Sequence, residues 1–161
     1  MEEDKIYNDI QRIFDDLPEN FNILEEQIDL EVQMKYFEYS KKVKEQKGVK
    51  DYLEDGEQLF SQDASLESKK EILIGLAGVD DVKAYRTIES YLKDAEGDMR
   101  SWAVLALQEN RMLLQTSLLD EKQYFISTGL GGKNKKLRYY VVFINRERND
   151  MLSSTQQKLL K

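Results

Sequence analysis

Two stretches of the chain, DASLESKKEILIGL at 63–76 and DAEGDMRSWAVLAL at 94–107, match in kind when offset by 31 residues. Both open on Asp-Ala, place an acid at Glu67 or Asp98 and a base at Lys69 or Arg100, and close on an apolar run. Each follows an amphipathic segment, Tyr52, Leu53, Leu59 and Phe60 before the first, and Tyr85, Ile88, Tyr91 and Leu92 before the second. Apolar residues at that spacing line one face of a helix, so the pattern predicts helix, turn, helix, twice over. A helix pair cannot bury its apolar face alone, and a repeated pair therefore demands a stack.

The second unit resembles a HEAT-type repeat. Asp94 follows the first helix, Asp98 and Arg100 open the second, and an Ala/Leu-rich run through Ala103 and Ala106 closes it. The resemblance implies an αα-hairpin stack from about Val49 to about Gln115. In it an Asp caps the incoming helix, Arg100 ties adjacent turns through a nearby carboxylate, and the alanines let helices approach closely. Ala64 and Ala95 stand where the family carries proline, and the offset is shorter than the roughly 40 residues of a HEAT unit. A generic αα-hairpin stack accounts for the same residues.

Helices flank this stack on its N-terminal side. Ile6, Ile10, Ile13, Phe14 and Leu17 form an amphipathic pattern within Glu2 to Leu17, and Pro18 stops it. From Asn22 to Lys47 two periods compete. Ile28, Leu30, Val32, Met34 and Tyr36 alternate with polar residues as a half-buried strand would. The same stretch is rich in Glu, Gln, Leu, Met and Lys without an internal breaker, which favours helix. Lys41, Lys42, Lys44 and Lys47 then suit the negative end of its dipole, and Gly48 is its stop.

Beyond Asp120 the residues become β-branched and aromatic, in QYFIST at 123–128 and LRYYVVFIN at 137–145, with GLGGKNKK between them. That order predicts a β-hairpin, its second strand apolar enough to be buried on both faces. Two strands are marginal alone. The hairpin must pack on the helices, pair with a second copy through the 137–145 strand, or be completed by residues outside this sequence. A last helix follows from Ser153 or Ser154. The expected fold class is mainly α: a short HEAT-like αα-hairpin stack with flanking N-terminal helices and a C-terminal β-hairpin plus helix, organised as a helical part, 1–120, and a hairpin part, 121–161.

The 161 residues include no cysteine and no histidine. Disulfides, thiolate zinc sites, the Ser-His-Asp triad and the Cys-His dyad are excluded by inventory. No run of about 18 apolar residues exists to cross a membrane, and MEEDK carries the wrong charge for a secretory signal. The chain therefore reads as soluble and cytoplasmic, with no membrane partner. Its net charge of −7 is unevenly spread: residues 1–31 hold 11 acids and 2 bases, and residues 133–161 hold 2 acids and 8 bases. Such an asymmetry steers partners or draws the two ends together.

The motifs that invite chemistry are incomplete. Gly129, Gly131, Gly132 and Lys133 suggest a phosphate loop, yet Ser127 and Asn134 stand where Gly and Ser or Thr belong, and a strand follows where a helix should. Asp94, Glu96 and Asp98 open like a calcium loop, but Met99 and Leu105 occupy its Gly and Glu positions. Asp80 and Asp81 stand where a helix cap belongs. Trp102 reads as core, and Arg138, Tyr139 and Tyr140 combine a base with aromatic rings as single-stranded nucleic-acid sites do.

These observations imply a non-catalytic protein-interaction or scaffold module without cofactor or metal. Its partner is another protein, a basic one where Glu25, Glu26 and Asp29 do the binding. The alternative is nucleic-acid or phosphate-ligand binding through the basic hairpin, by Lys133, Lys135, Lys136 and Arg138. The acidic overall charge and the missing RNA-binding motif speak against nucleic acid. A third reading is a carboxylate-dependent hydrolase, though no second catalytic group can be named.

Overall fold

The computed structural model describes residues 21–45, 51–140, 142 and 153–159. The amphipathic segment Glu2 to Leu17, the stop at Gly48 and positions 143–145 of the second β run lie outside the described residues. The described chain is mainly α, with a C-terminal hairpin and helix.

Helix α1, Leu30–Glu45, settles the contest of periods for helix from Leu30 onward, whereas Asn22 and Ile23, expected in the same helix, are strand and 24–29 are loop. Asp29 opens it, its Oδ1 accepting the Glu31 N–H at 2.7 Å. The buried face carries Gln33, Tyr36, Ser40 and Val43, spaced three and four apart. Leu30 and Met34, which made the alternating pattern, stand 57% and 62% exposed. The helical period decided burial, and the surplus apolar residues were left outside.

The predicted helices follow, the first of them as a single turn of α-helix. α2 (Tyr52–Asp55) is capped by Asp51 and runs into a 3-10 turn at Gly56–Phe60. α3 (Leu66–Ala77), α4 (Val82–Asp94) and α5 (Gly97–Leu119) complete the set. α3 and α5 begin 97 − 66 = 31 residues apart, the offset seen in the sequence. α5 lies centrally, packed on α3, α4 and α1. The core joins Leu73, Leu76 and Ala77 of α3, Ala84 and Ile88 of α4, and Trp102, Ala103, Leu105 and Ala106 of α5. α2 lies so close to α3 that a Cβ on Gly75 would fall within the Tyr52 ring.

The Asp caps expected at the two repeat openings, Asp63 and Asp94, are not used. Ser65 caps α3, its Oγ accepting from Ser68 N–H at 3.1 Å, while Asp94 is the last residue of α4. Glu96 precedes α5 without a side-chain cap, and Gly97 takes φ +54°. Asp81 does cap α4, accepting from Lys83 N–H at 2.6 Å.

Strand pairing differs from the hairpin expected between 123–128 and 137–145. β2 (Tyr124–Ile126) pairs in parallel with β1 (Phe21–Ile23), in the register Phe21 to Tyr124 and Ile23 to Ile126. The C-terminal hairpin is shorter, β3 (Gly132–Lys133) against β4 (Lys136–Leu137). Asn134 and Lys135 turn it with φ of +50° and +60°, the doubly left-handed turn that fits the twist of two strands. Residues 138–140 and 142 are not strand, and Tyr139, Tyr140 and Val142 are exposed, so burial on both faces does not hold there. Local residue type identified β-prone segments, but pairing partners 103 residues apart carry no local mark.

The final helix, α6 (Ser154–Leu159), starts at Ser153. Ser153 Oγ accepts from Gln156 N–H at 3.3 Å and Gln156 Oε1 accepts from Ser153 N–H at 2.9 Å, a reciprocal capping box.

Candidate functional site

The two oppositely charged groups singled out in the sequence meet. The loop from β1 to α1 carries Glu25, Glu26 and Asp29, and the β3–β4 hairpin folds against it. Glu25 accepts twice: its backbone carbonyl from Gly132 N–H at 3.2 Å and its Oε1 from Asn134 N–H at 3.2 Å. Gly131 lies at φ +70°, and a Cβ there would strike the Glu25 carbonyl oxygen. The glycines that suggested a phosphate loop are thus explained by the close approach of two backbones.

Glu26 is held from the helical side. Arg100 of α5 grips it with both branches of the fork, Nε to Oε1 at 3.0 Å and Nη2 to Oε2 at 3.2 Å, and Nη1 donates to the Leu92 carbonyl at 3.3 Å. Arg100 thus reaches Glu26 and the Leu92 carbonyl, and not the Asp94 carboxylate or its neighbours through which it is expected to tie adjacent turns. Asp29 caps α1. Among the bases, Lys135 lays its ammonium 5.6 Å from the Phe21 ring centre, and Arg138 donates to the Leu130 carbonyl at 3.3 Å. Lys133 and Lys136 are exposed on the hairpin.

This junction roofs a cleft of about 380 Å³ between β1, α4, α5 and the hairpin tip. Ile23, Leu24, Leu92, Val104 and Leu107 supply its apolar wall. Tyr85, Gln108 and Arg111 supply polar tips that sequence reasoning did not single out as site residues. Gln108 and Arg111 follow Val104 and Leu107 by one turn on α5, so the helical repeat already placed them on one face.

A second surface lies on α1. Leu30, Met34 and Phe37, at i, i+4 and i+7, form an exposed apolar ridge. The segment after α5 runs beside it in the opposite direction. Leu30 adjoins Gly129, Ser127 Oγ donates to Gln33 Oε1 at 2.5 Å, and the Phe37 ring lies 6.2 Å from that of Phe125. Glu31, Glu38 and Glu45, spaced by seven, are exposed on the other flank, interleaved with the exposed Lys35 and Lys42. The signal for this ridge was present in the sequence as more apolar residues than one helix face can bury.

The remaining candidates resolve into structure. Trp102 is core, its ring edge-to-face with Tyr36 and Tyr39 and its face under the Lys70 ammonium at 4.9 Å. No group of carboxylates able to hold a metal occurs among the described residues. Beneath α1, the fully buried Tyr36 donates to Glu109 Oε2 at 2.7 Å, and Glu109 also pairs with Lys44. Burial first, and then the Glu109 charge and hydrogen bond, hold the Tyr36 phenol well above its ordinary pKa. Asn110 is buried and donates to the carbonyls of Val79 at 2.7 Å, Leu76 at 3.0 Å and Ala77 at 3.4 Å, closing the end of α3. No described helix is long and apolar enough to cross a membrane.

The chain matches no protein-family model, no curated protein and no solved structure.

Proposed function

We propose that this chain is a protein-interaction module that docks a basic amphipathic helix of a partner protein along α1. The observation that carries the reading is the exposed ridge Leu30, Met34 and Phe37, whose spacing matches the face of an incoming helix. Apolar side chains gathered on a surface mark association sites, whereas scattered ones do not. The carboxylates of Glu31, Glu38 and Glu45 offer pairs to lysines or arginines beside the partner's apolar face, while Lys35, Lys41 and Lys42 of the same helix would meet any acids it carries. The resemblance of the helix pairs to HEAT units supports the same class of role, since such stacks present helix faces to partners.

Fluorescence anisotropy with a labelled Leu/Lys peptide patterned for a basic amphipathic helix tests this reading, with a scrambled peptide of equal composition as control. Binding should be saturable, weaken with salt, and fall by about tenfold or more when Met34 and Phe37 are both changed to Ser, which leaves the net charge untouched. Neutralising these carboxylates by Glu31→Gln, Glu38→Gln and Glu45→Gln should cost less and flatten the salt dependence. Equal binding of patterned and scrambled peptides overturns the reading. So does a chain that self-associates through the ridge, seen as a dimer in sedimentation that Met34→Ser and Phe37→Ser dissolve.

A second reading rests on Tyr139 and Tyr140, which stand 72% and 84% exposed beside Arg138 and the hairpin lysines. Exposed rings interleaved with bases suit stacking on single-stranded nucleic acid. A gel shift at low salt should show a complex that a Tyr139→Ala, Tyr140→Ala variant loses. Absence of any complex removes this reading.

A further inference from the structure

We infer that the cleft beneath the hairpin tip is a binding site for a small organic anion, a carboxylate or phosphate monoester borne on an apolar or aromatic body. The inference is independent of the α1 ridge and uses different residues.

The size is right: about 380 Å³ lies within the range of roughly 300 to 1,000 Å³ typical of small-ligand sites. The lining divides into two chemistries. Ile23, Leu92, Val104 and Leu107 form a wall that would bury an apolar body. Tyr85, Gln108 and Arg111 line it with a phenol, an amide and a guanidinium that make no hydrogen bond or ion pair among the described residues. These side chains are half-buried or exposed, so water serves them in the free chain, and a ligand's oxygens would replace that water at the edge of an apolar wall.

Charge decides the ligand's sign. Two acids and two bases line the cleft, Glu25 and Glu26 against Arg111 and Lys135, but they are not equally available. Glu26 is neutralised by the Arg100 fork, and Glu25 accepts the Asn134 N–H. Among the described residues Arg111 has no partner, and Lys135 rests only on the Phe21 ring.

The charges are also separated in space. Arg100 and Arg111 are eleven residues apart on α5, about 16 Å of helix rise. The Arg100 end closes over Leu92 and Glu26. At the other end, Gln115, one turn past Arg111, accepts from Asn22 Nδ2 at 3.5 Å, and Lys135 sits over Phe21, the residue before Asn22. Arg111 and Lys135 thus flank the end of the cleft away from the compensated Arg100–Glu26 pair. A guanidinium fork and a lysine ammonium there suit the oxygens of a carboxylate or phosphate, while the body of the ligand lies along Val104 and Leu107.

The test is a titration of the full chain, followed by amide and side-chain NMR shifts, with phenyl phosphate, benzoate and inorganic phosphate as probes. Phenyl phosphate and benzoate should shift the Gln108 side-chain amide and the Arg111 Nε–H saturably at concentrations up to about 10 mM. Inorganic phosphate, which lacks a body, should bind at least several-fold more weakly. Arg111→Met, at an exposed position, should weaken phenyl phosphate by about tenfold, and Lys135→Met should weaken it less, with the backbone spectrum otherwise preserved. Lys158→Met, on α6, serves as the charge control and should leave binding unchanged. Which of phenyl phosphate and benzoate binds more tightly distinguishes a phosphate ester from a carboxylate as the preferred head group. The inference is overturned if no saturable shift appears at Gln108 or Arg111, if Arg111→Met and Lys158→Met behave alike, or if inorganic phosphate binds as tightly as phenyl phosphate.

Discussion

The helix stack α2–α5 and the seam joining β1, β2 and the hairpin to that stack are held by different forces. In the stack, Leu73, Leu76, Ile88 and Leu105 are buried to 1% exposure or less, and alanines at 77, 84, 103 and 106 let the helices close on each other. Neighbouring helices are joined by short turns, so few residues must be ordered for each contact. At the seam, Leu24 and Ile28 anchor the β1–α1 loop in the same core, and the hairpin is joined to that loop by backbone bonds, two glycines and charged side chains, through partners such as Glu25 with Asn134 and Glu26 with Arg100. The Glu26 and Arg100 side chains keep 39% and 44% of their exposure, and a surface ion pair of that kind contributes about 0 to 1 kcal/mol. A stack supported by apolar burial should fail as a whole, whereas the seam should open locally.

Leu73→Ala gives the sharpest contrast. Removing a fully buried side chain should cost about 2 to 5 kcal/mol, read as a fall in the urea midpoint reported equally by both regions. Independent melting of the two regions in this variant would break the comparison.

Asn110→Ala is the next largest. It leaves the carbonyls of Leu76, Ala77 and Val79 without their buried donor, at about 1 to 3 kcal/mol. Part of that loss is offset because the buried Asn110 Oδ1, which has no partner among the described residues, is removed as well. Hydrogen exchange should show the loss first in the last turn of α3.

Gly131→Ala acts on the seam alone. A left-handed backbone at a non-glycine residue costs about 1 to 2 kcal/mol, and the new Cβ meets the Glu25 carbonyl. Amide exchange at Gly132 and Asn134 should accelerate while Leu105 keeps its protection. Equal acceleration at both would show that seam and stack open together.

Tyr36→Phe should give the smallest effect at neutral pH and a clear one in alkali. The folded chain holds the Tyr36 proton more tightly than the unfolded chain, whose value is 10.0. Above that pH the unfolded state binds fewer protons, so stability falls as pH rises from the ordinary value toward the raised one. This contribution is fully present below pH 10.0. The variant should lose the Glu109 hydrogen bond, at about 1 kcal/mol, and should show a flatter alkaline decline in urea unfolding than the parent chain.

The legibility of the chain follows the same division. The 31-residue offset located α3 and α5 because capping, periodicity and turn residues act over a few positions. Asp81 was recognisable as a cap for that reason. Seam partners were not legible: Glu25 and Arg138 stood out as charged groups, but nothing local says that Glu25 receives the hairpin turn or that Arg100 reaches Glu26. Arg111 and Gln108 passed unnoticed, and Tyr85 stood out only as part of an amphipathic face, because ordinary residues become a site only when separate elements bring them around one cleft. The alternation from Ile28 to Tyr36 did carry information, of an unexpected kind. Its surplus apolar residues became the exposed ridge of α1.

Sequence by itself determined the helical class, the 31-residue offset between α3 and α5, the absence of thiol and imidazole chemistry and the opposite charge of the two ends. Each depends on residue type or on spacing within a few turns, where backbone geometry dictates the outcome. Tertiary structure alone decided that β2 joins β1 rather than 137–145, that the two charged ends share one cleft, and which apolar residues of α1 remain outside. Those outcomes depend on which distant surfaces meet once the stack has formed, and the loop-closure entropy and shape complementarity that select them are properties of the whole chain.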